Sequence, residues 1–309
     1  MSAIKLLDAQ AALGFVTSQT TYIERQVNAV EYPDIQYPQL VPVDTNANPW
    51  AKTVTYYSSD VYGKADWING NSDDVPMAGT ERTRNETAVY TAAIGYGYGL
   101  EEISQAQMLG IPLEADDAQA ARRAYEEMVD RVAIVGDAAK GFNGLINNPS
   151  VTAGTATTGN WATATPAQIL EDVNNQLTGV YTGTLFTSVS DTLLLPYERW
   201  TILATRMVSD LSTETILSWL LRNNVYTATT GRQLMVRGLR QLSTAGAGGT
   251  GRSVAYRRDP SVVKLHIPMP HRFLAAHPAG PLRVEVPGIF RLGGVDVRKP
   301  RLFSYVDGI

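Results

Sequence analysis

The chain has no cysteine among its 309 residues, so disulfides, thiol catalysis and cysteine-held metals are excluded. Histidine occurs only at His266, His271 and His277, all in a proline-punctuated stretch. On an extended strand positions 266 and 271 point to opposite faces, and no carboxylate is spaced along the sequence to complete a metal site with them. No apolar run approaches the ~20 residues of a bilayer-crossing helix, which argues against a membrane partner. The opening MSAIKLLDAQAALGF has one lysine and an apolar pair broken by Asp8, which does not fit a secretory signal. The sequence also lacks G-x-S-x-G, H-E-x-x-H and calcium-loop patterns. The acidic pairs Asp116–Asp117 and Asp73–Asp74 fall at an expected helix start and an expected loop tip, where carboxylates serve capping and solubility. No catalytic, metal or cofactor site is expected.

What is present is unevenly distributed. Net charge is −4. Residues 232–309 carry 13 Lys+Arg against 4 Asp+Glu, a surplus of +9, which leaves −13 for residues 1–231. Three readings stay open: solvated faces, complementary contacts between copies of the chain, and a basic surface for nucleic acid. Arginine outnumbers lysine 20 to 6, and arginine is the better residue for bidentate contacts at interfaces.

Four prolines between residues 31 and 50 (Pro33, Pro38, Pro42, Pro49) argue for an extended arm without a helix or central strand, after a short helix over residues 7–15. Residues 52–57 and 88–98 read as strands, the second with Ala88, Tyr90, Ala92, Ile94, Tyr96 and Tyr98 on one face. The polar stretch INGNSDDVPMAGTERTRNE between them reads as the wide tip of a long hairpin. A two-stranded hairpin is marginal alone, so it needs neighbours to pin it; a plain pair of core strands is the competing reading. Residues 113–140 read as a helix of about 40 Å with Gly141 as its C-cap. Ala121, Tyr125, Met128, Val132 and Val135 share its apolar face. Arg122–Glu126, Arg123–Glu127 and Glu127–Arg131 are opposite charges four apart on its outer face.

Residues 151–165 form a Thr/Ala/Gly-rich loop, and Pro166 opens a helix. TLLLPYERWTILAT reads as a strand followed by a helix, and STETILSWLLRNN as a helix with Ser212 as N-cap. Residues 236–242 read as a short strand, and RVEVPGIFRL and VDVRKPRLFSYV as strands joined by a Gly293–Gly294 turn. GAGGTGRS at 246–253 has the spacing of a phosphate loop, with Arg252 in place of lysine. Such a loop needs a helix behind it, and Pro260 leaves no room for one, so 246–253 reads as a flexible surface loop.

The stretches GFNGLINNPSV at 141–151 and LLLPYERWTILAT with STETILSWLLRNN at 193–224, in this order of parts, resemble the major capsid proteins of tailed bacteriophages, the Hong Kong 97-like fold. That resemblance implies an α+β protein: an N-terminal arm (1–45), an extension loop (46–100), a peripheral domain with the spine helix (101–150), an axial domain (151–262) and peripheral return strands (263–309). It implies homo-pentamers and homo-hexamers closing into an icosahedral shell around double-stranded DNA bound non-specifically. Portal and decoration proteins would be partners, as would a separate scaffold protein, because the arm is too short for a built-in scaffolding segment. The location would be the virion capsid, assembled in the bacterial cytoplasm. Members with lysine–asparagine cross-links pair the extension loop with the peripheral domain; Lys52 and Lys64 are present, but no asparagine follows Asn224, so no such lock is expected. Contacts between copies are expected at Tyr56, Tyr57, Tyr62, Lys64, Trp67, Arg82, Arg84, Tyr90, Arg123 and Glu127, and an axial loop at Gly246, Gly248, Gly249 and Gly251. The alternatives are an encapsulin-type nanocompartment shell and, from another class, a nucleotide-binding enzyme using loop 246–253.

Overall fold

Leu193, Leu194 and Leu195 are consecutive and fully buried, as a strand covered on both faces requires. Leu194 enters one apolar core, and Leu193 and Leu195 enter a second. The same split recurs on the neighbouring strand, where Val254 and Tyr256 face the first core and Ala255 the second. One sheet therefore serves two cores. The computed structural model describes residues 34–70, 75–99, 101–102, 104, 108 and 113–309, and Ile35–Ile309 form one compact unit. The expected helix over residues 7–15 and the Asp73–Asp74 pair lie outside the described residues.

In chain order the strands are β1 (Val43–Asp44), β2 (Thr53–Tyr62), β3 (Gly79–Ala88), β4 (Tyr90–Ala93), β5 (Tyr96–Gly99), β6 (Gly136–Asp137), β7 (Phe142–Asn143), β8 (Ala153–Thr155) and β9 (Thr192–Pro196). They continue with β10 (Met235–Leu239), β11 (Arg252–Tyr256), β12 (Val263–His266), β13 (Met269–Phe273), β14 (His277–Gly280), β15 (Arg283–Val286), β16 (Gly288–Leu292), β17 (Val295–Val297) and β18 (Phe303–Asp307). The α-helices with described bounds are α1 (Tyr37–Leu40), α2 (Leu113–Ile134), α3 (Pro166–Gly183), α4 (Tyr197–Thr205), α5 (Ile216–Arg222) and α6 (Val225–Thr230). The two-core sheet has the order β10-β9-β11-β18-β8, with β10/β9 and β18/β8 parallel and the inner pairs antiparallel. Two small sheets, β1-β12-β17 and β13-β16-β4, extend the first core, and a third, β14-β15-β5, contributes none of its residues.

The long helix is shorter than its pattern predicted. α2 ends at Ile134, 22 residues or about 33 Å, because Gly136 turns the chain with φ of 85°. Gly141 caps the 3-10 turn Ala138–Lys140 instead, with φ of 72°. The buried face of α2 holds Ala121, Tyr125, Val129, Val132 and Ala133, while Val135, beyond the helix end, is exposed. The GFNGLINNPSV turn then folds back to satisfy the carbonyls at the helix end. Leu145 N–H donates to Ala133 O at 2.9 Å, Ile146 N–H to Ile134 O at 3.2 Å, and Asn147 Nδ2 to Val135 O at 2.7 Å. Position 144 must be glycine, since a Cβ there would lie 2.2 Å from Ile134 O.

Several other expectations change. Pro33 lies outside the described residues, and from residue 34 on the proline-rich stretch is not wholly extended, because it holds a helical turn. Pro38 sits in the first turn of the helical turn α1, where its missing N–H costs nothing, and Leu40 and Val41 are buried in the first core. Tyr256 OH donates to Leu40 O at 2.8 Å and Leu265 N–H to Pro42 O at 2.9 Å, so residues 35–44 lie on their own chain's body. The 151–165 loop contains β8, and its buried Trp161 donates from Nε1 to Asp172 at 2.9 Å. The cap of α5 is Thr215, whose hydroxyl oxygen accepts from Ser218 N–H; Ser212 instead accepts from Glu214 N–H in the preceding turn. The strand expected over 236–242 ends at Leu239, in a 3-10 turn. Pro166 opens α3 as expected, with a full capping box between Thr165 and Gln168.

Candidate assembly surface

The hairpin exists, with a different second strand. β2 pairs with β3 in ten unbroken antiparallel pairs, from Thr53↔Ala88 to Tyr62↔Gly79. The partner strand is the stretch GTERTRNETA, which reads as polar turn residues. Its alternation carries no hydrophobic signal because both of its faces meet solvent. The 88–98 run is divided between two other sheets: β4 pairs with β16 and β5 with β15. The break comes at Gly95, where a Cβ would lie 2.4 Å from Val286 O.

The ribbon is about 33 Å long at the usual rise per residue. Its base is fixed to the body. Val89 N–H donates to Lys52 O at 2.9 Å, and the Arg298 guanidinium lies over the Tyr56 ring, 4.5 Å from its centroid. Burial, followed by the nearby Asp296 carboxylate, pushes the Tyr56 hydroxyl's pKa up. Beyond Tyr56 the ribbon leaves the body. Tyr57, Val61 and Tyr62 are exposed, and in the tip Trp67 is 100% exposed and Met77 81%, with Ile68 and Val75 beside them. Lys64 is exposed in the same tip. Arg82 and Arg84 are exposed on β3, Arg84 in an ion pair with Glu86. Asp60 and Glu81 are directly paired across the strands, a like-charge juxtaposition that weakens an isolated ribbon.

The other expected contact residues lie apart from the ribbon. Tyr90 is on β4, its ring edge-on to Phe142 at 5.5 Å and under the Lys140 ammonium at 5.1 Å. Arg123 and Glu127 pair with each other at 3.0 Å on the exposed face of α2. Gly246, Gly248, Gly249 and Gly251 lie together, but the loop is not slack. Gly246 N–H donates to Thr250 O at 2.8 Å, Gly308 N–H to Gly251 O at 2.9 Å, and Ala247 N–H to Asp307 at 2.9 Å. Gly248 and Gly249 take φ of 67° and 76°, which explains glycine at both. Behind the loop comes the buried strand β11, so no helix N-terminus faces it. Arg252, at the lysine position of the phosphate-loop spacing, is committed to Asp307 through Nε at 2.6 Å and a second nitrogen at 2.9 Å. That geometry removes the basis for a nucleotide site.

Two clusters escaped the sequence reading because their members are far apart in the chain. Asp130 Oδ1 accepts from Gln36 N–H at 2.9 Å and Tyr37 N–H at 2.8 Å, and Tyr37 OH donates to Glu126 at 2.7 Å. Burial, reinforced by that carboxylate, drives the Tyr37 hydroxyl's pKa well upward. His266 is buried with Asp296 3.6 Å from Nε2 and Asp44 3.9 Å from Nδ1. The carboxylates missing from its sequence neighbourhood are supplied by β1 and β17. Both carboxyls sit below their ordinary range: burial raises them, but the Asn46 N–H and Lys264 outweigh this at Asp44, and His266 and Arg298 do so at Asp296. Among the described residues no group of three His, Asp or Glu side chains is placed to hold a metal.

A family model described as "Major capsid protein" matches residues 63–309. The capsid of Myoviridae phage XM1 is similar in structure, with a TM-score of 0.79 at 17% identity over 94% of this chain and 98% of that one. The capsid of the native GTA particle gives a TM-score of 0.65 at 12% identity, covering 98% and 99%. A chain of Mycobacterium phage Ogopogo gives 0.58 at 11% identity, covering 94% and 98%. Among curated protein sequences none matches.

Proposed function

The chain belongs to the major capsid protein family, which makes it a structural protein of the virion shell, and from that premise we propose that its copies form pentamers and hexamers that close into an icosahedral phage head around double-stranded DNA. The observation that carries this reading is the β2–β3 ribbon. Its base is fixed by Arg298 and Tyr56, and its outer half and apolar tip have no cover from the described part of their own chain. An exposed ribbon with free edges and a bare tryptophan needs burial, and a neighbouring copy supplies it in a closed symmetric shell.

In this reading the ribbon is the extension loop, α2 is the spine helix and loop 246–251 lies near the symmetry axes. Tyr57, Tyr62, Lys64, Trp67, Arg82 and Arg84 contact the next copy through the ribbon, and Tyr90, Arg123 and Glu127 do so from the body. Tyr56 acts as the anchor. Scaffold, portal and decoration proteins are further partners. The remaining features are a Hong Kong 97-like arrangement of arm, peripheral and axial domains.

The test is deletion of residues 58–86. The variant should keep the helical part of its far-ultraviolet circular dichroism and melt cooperatively, yet give no closed shells in negative-stain images where the full chain does. Normal shells from the deletion variant would overturn the role of the ribbon.

A further inference from the structure

A cleft of about 460 Å³ opens between the end of α3 and the corner that precedes β18. Neither the fold nor the ribbon requires it. One wall is the loop 183–188. Within it Leu185 and Phe186 adopt φ of 53° and 60°, values that non-glycine residues rarely take. Hydrogen bonds over-determine that shape: Leu185 N–H to Thr182 O at 3.0 Å, Phe186 N–H to Tyr181 O at 2.8 Å, and Thr184 Oγ1 to Ser188 O at 2.8 Å. The opposite wall runs from Arg298 to Leu302. Arg298 N–H donates to Val262 O at 2.8 Å and Leu302 N–H to Lys299 O at 3.0 Å, and the buried Leu302 and Phe303 fix the turn to the core.

The charges on these walls do not cancel. Arg298 is committed to Asp296 at 3.0 Å. Arg257 reaches the rim by donating to Ser188 Oγ at 3.2 Å, and its carboxylate neighbour is Asp259 at 3.9 Å. Asp259 also feels Lys299, but its closest partners are the hydroxyl and N–H of Ser261. Lys299 and Arg301 are exposed, and neither forms an ion pair among the described residues. Two cations are thus left over, presented from a rigid turn across the cleft from Thr184, Thr187 and Ser188. All four cations belong to the 232–309 segment with its surplus of +9.

We propose that this cleft binds the phosphodiester backbone of the enclosed DNA, with Lys299 and Arg301 on successive phosphate oxygens. Non-specific backbone binding needs fixed cations and no base-reading motif, which agrees with the absence of a recognition motif in the basic segment. A cleft whose walls are already fixed loses little entropy on binding. The proposal rests on the shell reading, because that reading is what places DNA beside the subunit.

The experiment uses unassembled full-length subunits and a fluorescein-labelled mixed-sequence duplex of about 20 base pairs, with anisotropy measured over a range of sodium chloride concentrations. K299A/R301A should weaken binding at least about tenfold at low salt and reduce the slope of log K against log salt by about two. The charge-matched control R232A/R240A should change affinity less than about threefold. Equal losses in both variants, or wild-type affinity in K299A/R301A, would overturn the proposal. Loss of shells without loss of duplex binding in K299A/R301A would also overturn it, and would assign the cleft to an acidic segment of a second copy. Negative-stain images of the wild-type chain separate the two readings: shells with an inert cleft sink only this proposal, whereas no shells sink the assembly reading.

Discussion

The guanidinium of Arg298 lies 4.5 Å over the ring of Tyr56, while its Nε donates to Asp296 at 3.0 Å. One residue thus ties the base of the projecting ribbon to the strand that carries Asp296. Arg298→Ala should cost about 1–3 kcal/mol, through the lost cation–π contact and the buried carboxylate left short of a partner. Urea denaturation measures the loss. Hydrogen exchange should rise at 53–57 and 84–88 before it rises in β9 or β11; a uniform rise would show that the anchor is not local.

The clamp on α1 gives a second test. Asp130→Ala leaves the N–H groups of Gln36 and Tyr37 without their acceptor and should cost about 1–3 kcal/mol. Tyr37→Phe removes only the bond to Glu126 and should cost about 0.5–1.5 kcal/mol. Equal losses from the two changes would mean that the backbone groups had found other acceptors.

Acid should loosen the protein at identifiable points. Burial raises the Asp307 pKa, but Arg252 and the Ala247 N–H outweigh it, so the folded value lies below the ordinary 3.8. A depressed carboxyl contributes stability that is complete above its unfolded pKa and is lost as pH falls through the folded one. Asp44 and Asp296 act in the same direction. Melting temperature should therefore drop as pH falls below about 4. Asp307→Asn, starting lower, should show a shallower drop; an unchanged slope would remove Asp307 from the account.

Gly144→Ala places a methyl group against Ile134 O, inside the fold-back that caps α2. It should destabilise by about 1–3 kcal/mol or more. Gly159→Ala is the comparison, since its φ of 71° is strained for alanine while the space around it is open, and it should cost about 1–2 kcal/mol. Thermal unfolding of the two variants gives the order, and a milder effect at position 144 would contradict the steric reading.

Much of the body was legible along the chain. The run TLLLP announced an apolar strand, Pro166 marked a helix start, and the GFNGLINNPSV turn was recognisable before its bonds were visible. The ribbon's second strand was not. Gly79–Ala88 alternates between two solvent faces, so its period carried no apolar signal and its glycine, threonine and asparagine content read as turn. Tyr90 to Tyr98 alternated convincingly and still split at Gly95, where only the approach of Val286 shows why. Of the expected contact residues, those on the ribbon are brought together, while Tyr90 and the Arg123–Glu127 pair sit elsewhere.

Local chemistry alone determined the absence of thiol chemistry, the basic bias after residue 231, the helix start at Pro166 and the apolar strand at TLLLP, because each depends on residue type or on spacing within a few positions. Only the tertiary structure decided which strand completes the ribbon, that residues 35–44 lie on their own body, that Arg252 is spent on Asp307, and that Lys299 and Arg301 face the strained 183–188 loop. Each of those pairs positions scores or hundreds of residues apart or depends on a face that solvent leaves unmarked, and a linear pattern holds no record of such distances.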